Sequence, residues 1–223
     1  MTRSNKLGAA ALAAAGVLFL LYPAVRPWHD EATVDGAVAS MASGAWVASH
    51  AFAMLGFVLA ALGLLALRDT VPGPLTTAAV VTTWIGAGLV LPYYGAEDFG
   101  LHSLARRYAD GESFDLLATV DAVRNQPVAI TMFGVGLLVL ALGGVLAALA
   151  VRRSGVLPRS SGVLFGLGLV LFLPQFFTPA PIRIAHGVLL AAGCGWLAFA
   201  LWRARTASPV RVTERAAPLP RDR

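Results

Sequence analysis

Six stretches free of Asp, Glu, Lys and Arg run through this chain, at 7–25, 36–67, 70–96, 125–151, 160–182 and 184–202. Each can supply the roughly 20 apolar residues that carry an α-helix across a bilayer. A backbone in hydrocarbon must satisfy its own hydrogen bonds, so such runs specify helices. The expected fold is all-α: a polytopic membrane bundle of about six helices, with spans near 7–25, 45–67, 75–96, 127–151, 162–177 and 182–202. Only 13% of residues are charged, against about 25% in a soluble domain. The segments between spans are too short to bury a core of their own. One transmembrane domain, 1–203, followed by a disordered basic tail, 204–223, is the expected organisation.

Charge placement sets an expected orientation. If the spans alternate from a cytoplasmic N-terminus, the inner segments hold twelve of the seventeen basic residues, including Arg68, Arg152, Arg153, Arg159 and Arg203. Lys/Arg excess marks the cytoplasmic side, so both termini are expected inside. Nine of the twelve acids fall outside. The net charge of +5 then points to the lipid bilayer and to anionic headgroups at the cytoplasmic face, not to nucleic acid. Arg3 and Lys6 before the first apolar run resemble a secretion signal, but Leu20-Leu21-Tyr22-Pro23 offers no small-residue cleavage site, so a retained anchor helix is expected. Cys194 stands alone and reads as a packing residue.

Between the spans, 24–44 reads as an outer loop, and Pro72-Gly73-Pro74 as a tight inner turn. The segment 97–126 is the longest outer loop, with a short surface helix that Ser113 could cap and that shows Phe114, Leu117 and Val120 on one face. Pro92 and Pro174 are expected to kink the third and fifth spans. Gly162 and Gly166, and the glycines at 134, 136, 143 and 144, are expected at close helix contacts.

Chemistry is concentrated at the outer end. All four histidines fall there, His50 inside a span and His186 in the first turn of another, with Tyr93, Tyr94, Glu97, Asp98, Gln175 and Arg183 at similar depth. Ionisable groups inside a membrane usually face protein or a wet cavity. His50, Tyr94, Glu97, Asp98, His102, Gln175, Arg183 and His186 are therefore the candidate lining of an outward-facing polar pocket for a small ligand or ion. On a continuous helix Tyr94, Asp98, His102 and Arg106 share a face, so Asp98 would orient His102; Arg183 would balance the carboxylates. Ordinary interfacial or helix-surface roles account equally for several of these residues. Two alternatives stand beside the pocket. One is a metal- or haem-dependent enzyme using His50, His102 and His186, with haem between His50 and His186 or zinc with Asp98 and a Glu97 base. The other is a helper subunit without a site. No HExxH, CxxC, phosphate loop or nucleophile elbow is present.

Tyr93-Tyr94-Gly95-Ala96-Glu97-Asp98-Phe99-Gly100-Leu101-His102, Arg124-Asn125-Gln126-Pro127, Pro174-Gln175-Phe176-Phe177 and Arg183-Ile184-Ala185-His186-Gly187 together resemble small six-span membrane proteins of unknown function from high-GC bacteria. The resemblance implies a bacterial inner-membrane location and supplies no activity.

Overall fold

The computed structural model describes residues 3–204. The expected basic tail from residue 205 onward lies outside the described residues. Helices account for the secondary structure throughout, with no strand among the described residues. The long helices are α1 (Arg3–Val25), α3 (Gly44–Thr70), α4 (Pro74–Gly95), α7 (Pro127–Ser154) and α9 (Ala180–Arg203). Short helices are α2 (Val34–Met41), α5 (Leu101–Ala109), α6 (Leu116–Arg124) and α8 (Val163–Val170). Five helical segments are long and apolar enough to cross a membrane. Their outward faces are apolar as well: Val17, Leu55, Leu138 and Phe199 are exposed along the flanks. Helices apolar on every face belong in lipid.

The helix ends reflect local chemistry. Ser43 caps α3 by accepting the Trp46 N–H at 3.1 Å. Pro74 and Pro127 occupy first-turn positions, where a missing N–H costs nothing. Gly155, at φ +65°, ends α7 in the left-handed conformation that suits glycine.

Glycine contacts define the helix directions. A Cβ on Gly8 or Gly63 would collide with Ala66 or Leu12, so α1 and α3 run antiparallel. Gly86 meets Gly136 and Leu140, while Gly143 meets Thr83, which sets α4 antiparallel to α7. Gly16 meets Ala191 and Cys194, and Gly187 meets Pro23, which sets α1 antiparallel to α9. Lys6 also lies over the Trp202 ring, 5.6 Å from its centroid. The starts of α1 and α4 and the ends of α3, α7 and α9 thus share one end of the bundle. The opposite end carries α2, α5 and α6.

The stretch expected as a fifth span, 162–177, is not one long helix. It packs antiparallel to α7 through Gly162 and Gly166, and to α9 through Gly168. Yet α8 stops at Val170, and a 3-10 turn, Pro174–Phe177, completes the passage. Pro174 has no N–H to give the Val170 carbonyl, so the helical ladder loses its bond there.

The connections expected on the outer side are also more ordered than loops. The segment 24–44 contains α2, capped by Thr33. The chain after α4 passes through a π-helical turn, Ala96–Gly100, directly into α5. Within 97–126 the cap of α6 is Asp115, whose Oδ1 accepts the Ala118 N–H at 3.0 Å, and not Ser113. Leu116 and Val120 are the buried residues of α6, and they join Ala37, Met41, Trp46, Leu101 and Ala105 in a small second core. Arg107 and Glu112 pair across the end of α5, and the guanidinium holds the Glu112 carboxyl below its usual range. Both side chains are about half exposed or more, at 60% and 48%. Solvent screens such a pair, so Arg107→Ala is expected to leave the melting temperature in detergent unchanged.

Candidate functional site: an arginine–aromatic ladder above a cavity

Beyond the end of α1 at Val25 the chain delivers Arg26, Trp28 and Glu31 over the bundle. The Trp28 indole is fixed by donation to the Pro23 carbonyl at 3.0 Å. Arg26 lies between two indoles, 4.4 Å from the Trp28 centroid and 4.8 Å from that of Trp46. Arg183, from the first turn of α9, lies 5.3 Å from Trp28 and 5.6 Å from Phe176. Arg124, from the end of α6, stands 6.0 Å from the other side of the array, at Trp46. Phe176, Arg183, Trp28, Arg26, Trp46 and Arg124 therefore alternate as a ladder. Guanidinium planes over aromatic faces gain from the ring quadrupole, more so when half-buried.

Two carboxylates knit the ladder. Glu31 accepts from Arg26 Nη2 at 2.6 Å and from Arg124 Nη2 at 2.8 Å. Glu97 accepts from Arg124 Nε at 2.7 Å and from Arg124 Nη2 at 3.1 Å. Burial alone would lower the Arg124 guanidinium, but the two carboxylates outweigh it and hold its pKa above the ordinary arginine value. The Trp46 indole donates to the Glu97 carbonyl at 3.0 Å, and the Tyr93 hydroxyl to the Arg124 carbonyl at 3.1 Å. These bonds tie α6 and the π-turn to α3 and α4.

Beneath the ladder is a cavity of about 380 Å³. Tyr22, His50, Tyr93, Tyr94 and Phe133 form much of its wall, with Arg26, Glu31, Glu97, Arg124 and Arg183 at its polar end. His50 Nδ1 bonds the Trp46 carbonyl at 2.8 Å. A carbonyl only accepts, so Nδ1 carries the proton and Nε2 is the acceptor. The Tyr94 hydroxyl is buried without a directed hydrogen bond, and the Tyr22 ring stands 5.8 Å from its own.

Arg183 differs from the other two arginines. Its Nε donates to the Thr178 carbonyl at 3.0 Å and its Nη2 to the Phe176 carbonyl. No carboxylate pairs with it among the described residues. Three arginines against two carboxylates leave the polar end one positive charge in excess.

Of the eight residues expected to line one pocket, His50, Tyr94, Glu97 and Arg183 do so. The other four lie elsewhere. The π-turn inserts an extra residue and rotates the helix downstream of it, so the expected stripe from Tyr94 to Arg106 breaks. Asp98 is fully buried with neither carboxylate oxygen bonded. It does not orient His102, whose Nδ1 donates to the Met41 carbonyl at 2.7 Å. Gln175 and His186 border a second pocket of about 280 Å³. There His186 Nε2 donates to the Gly168 carbonyl at 2.8 Å, and the ring stands edge-on to Phe172 at 5.2 Å. Arg183 does not balance the carboxylates; Arg124 and Arg26 do.

Those placements bear on the metal and haem alternatives. Two of the three candidate histidines, His102 and His186, direct a ring N–H at a backbone carbonyl away from the cavity that His50 borders. No three His, Cys, Asp or Glu side chains converge as a metal-binding group among the described residues. The donor set does not fit zinc, and His50 and His186 border different pockets.

No family model, curated protein or solved structure matches the chain. The chemistry of the site therefore rests on its own geometry.

Proposed function

We propose that this is an integral protein of a bacterial inner membrane, both termini cytoplasmic, that binds a small ligand bearing an anionic group in the cavity under the ladder. The observation that carries this reading is Arg183: a cation bordering an aromatic-lined cavity, its charge unmatched while its neighbours are neutralised. Guanidinium retains N–H groups beyond the two it spends on carbonyls, in a fork that suits carboxylate or phosphate. The aromatic wall supplies apolar area, and His50 Nε2 offers one acceptor. A cavity of this size sits at the small end of ligand sites, which run about 300–1,000 Å³.

Orientation rests on the arginines of the 152–159 turn and is tested by cysteine labelling. Ser113→Cys should react with an impermeant maleimide in intact cells, and Ser160→Cys only after permeabilisation. The native Cys194 is buried and should stay silent. Reaction of Ser160→Cys from outside would invert the proposed topology.

Ligand binding is tested by thermal shift in detergent with a panel of small carboxylates and phosphates. A ligand that binds only the folded state raises the melting temperature. At least one member should stabilise the wild type, and Arg183→Gln should weaken that effect by about tenfold in concentration, as expected for loss of a charge-assisted contact of about 1.4 kcal/mol or more. Equal shifts in both proteins would remove Arg183 from the site.

A further inference from the structure

We infer that the ligand enters this cavity sideways from the outer leaflet, and that it is a single-chain amphiphile with an anionic head. The inference rests on the proposed anion-binding cavity and adds the route and the ligand class.

The cavity has two unlike boundaries. Toward the extramembrane end it is bordered by Arg26, Glu31, Arg124 and Glu97, ion-paired to one another and pinned by Trp46 and Tyr93. A water-borne ligand entering there would have to part that network. The flank is different. It is bordered by Ile130, Phe133 and Gly134 of α7 and by Leu173, Phe176 and Phe177 beside and within the 3-10 turn, all without a polar side chain. Phe177 is 85% exposed and Ile130 43%. On the side of a membrane bundle, such residues face lipid.

The gap has a cause in the sequence. α7 and α8 touch backbone to backbone lower down, where a Cβ on Gly166 would come within 2.8 Å of the Gly144 carbonyl. Above that level α8 ends and the chain continues as the Pro174 turn, while α7 continues as a full helix. Gly134 records the separation. A Cβ there would meet nothing within 4 Å, whereas one on Gly136, Gly143 or Gly144 would strike a neighbouring helix. Phe133 and Phe176 meet edge to face at 5.5 Å across the flank, a contact that side-chain rotation can open.

Size and depth select the ligand. Gly134 lies seven residues below Pro127, about 10 Å at the α-helical rise, so the opening spans the boundary between headgroups and hydrocarbon. A cavity of about 380 Å³ accommodates a head and the first part of a chain, not a whole lipid. The head would sit at Arg183, and the rest of the chain would leave between Ile130 and Phe177 into the bilayer. An excess positive charge at the inner end favours an anionic head over a cationic one.

The test uses the full chain in phosphatidylcholine liposomes with a palmitate analogue carrying a photoactivatable diazirine. Labelling should be saturable and should fall on 130–134 and 173–177. Unlabelled palmitate and dodecyl phosphate should compete, and dodecyltrimethylammonium should not. Gly134→Phe should reduce labelling by about tenfold, equivalent to about 1.4 kcal/mol, because its ring fills the opening. Gly134→Ala should retain it and controls for folding, and Gly134→Leu provides a second obstruction. In parallel, phenylacetate in detergent serves as a water-soluble probe. If phenylacetate binds in an Arg183-dependent way while palmitate labelling ignores Gly134→Phe and Gly134→Leu, the lateral route is wrong and the cavity reading survives. If neither probe responds to Arg183→Gln, both are wrong.

Discussion

Replacing Arg124 with alanine is expected to lower the unfolding free energy by about 3 kcal/mol, the lower bound for removing one partner of a buried ion pair. The change would strand Glu97, whose one ion-pair partner among the described residues is Arg124, and would leave Glu31 with Arg26 alone. Glu31 and Glu97 keep only 16% and 13% of their side-chain surface exposed, and Arg124 26%, so solvent screens little of the loss. At about 2–4 °C per kcal/mol for a chain of this length, the melting temperature in detergent should fall by roughly 6–12 °C. Arg124→Lys should recover only part of it, because one ammonium cannot hold Glu97 through two nitrogens and still reach Glu31. The double variant Arg124→Met, Glu97→Gln should be less damaged than Arg124→Ala alone, since it removes the stranded carboxylate and leaves Glu31 paired with Arg26. A single variant as stable as the wild type would mean that water reaches the ladder freely.

A second large effect is expected at Gly193. A Cβ there would lie 2.6 Å from the Leu164 carbonyl carbon and also strike the Phe165 nitrogen. These are backbone atoms and cannot rotate away. Gly193→Val should therefore push α8 from α9 and cost about 3 kcal/mol, the upper part of the overpacking range. Position sets the consequence for function: α8 delivers the 3-10 turn, and α9 delivers Arg183. Gly195, two residues on, has nothing within 4 Å of its Cβ position. Gly195→Ala should be neutral or stabilising by up to about 1 kcal/mol through helix propensity. Comparable melting temperatures for the two variants would contradict the close α8–α9 contact.

The long helices were legible because their limits are written in local chemistry. Charges and prolines such as Pro74 and Pro127 place their ends within a few residues of the structure. The interruption of 162–177 was only half legible. Pro174 announced a kink, but a proline-bearing helix can either bend and continue or stop, and neighbouring packing decides which. The π-turn at Ala96–Gly100 left no signal beyond its flanking glycines, and it moved Asp98 and His102 off the face that Tyr94 occupies.

The candidate site was less legible than the fold, for a reason of range. Glu97 and Arg183 stood out as charges at membrane depth. Arg26, Glu31 and Arg124 looked like loop charges, because the pairs that join their segments are distant: Arg124 pairs with Glu97 across 27 residues and with Glu31 across 93. Spacing rules reach one helical turn and cannot see such pairs. Histidines drew attention for their chemistry, yet His102 and His186 serve backbone carbonyls, a role that any buried imidazole can take. Trp28 had an available signal, lying two residues from Arg26 and three from Glu31, but a single indole in a loop does not reveal what stacks on it.

Native mass spectrometry of the protein released gently from its own membranes tests the central idea most directly. Wild-type protein should carry a bound anionic amphiphile that survives desolvation, and Gly134→Phe and Arg183→Gln should emerge bare. Identical spectra for all three, with or without adducts, would mean that the space under the ladder is packing slack and not a binding site.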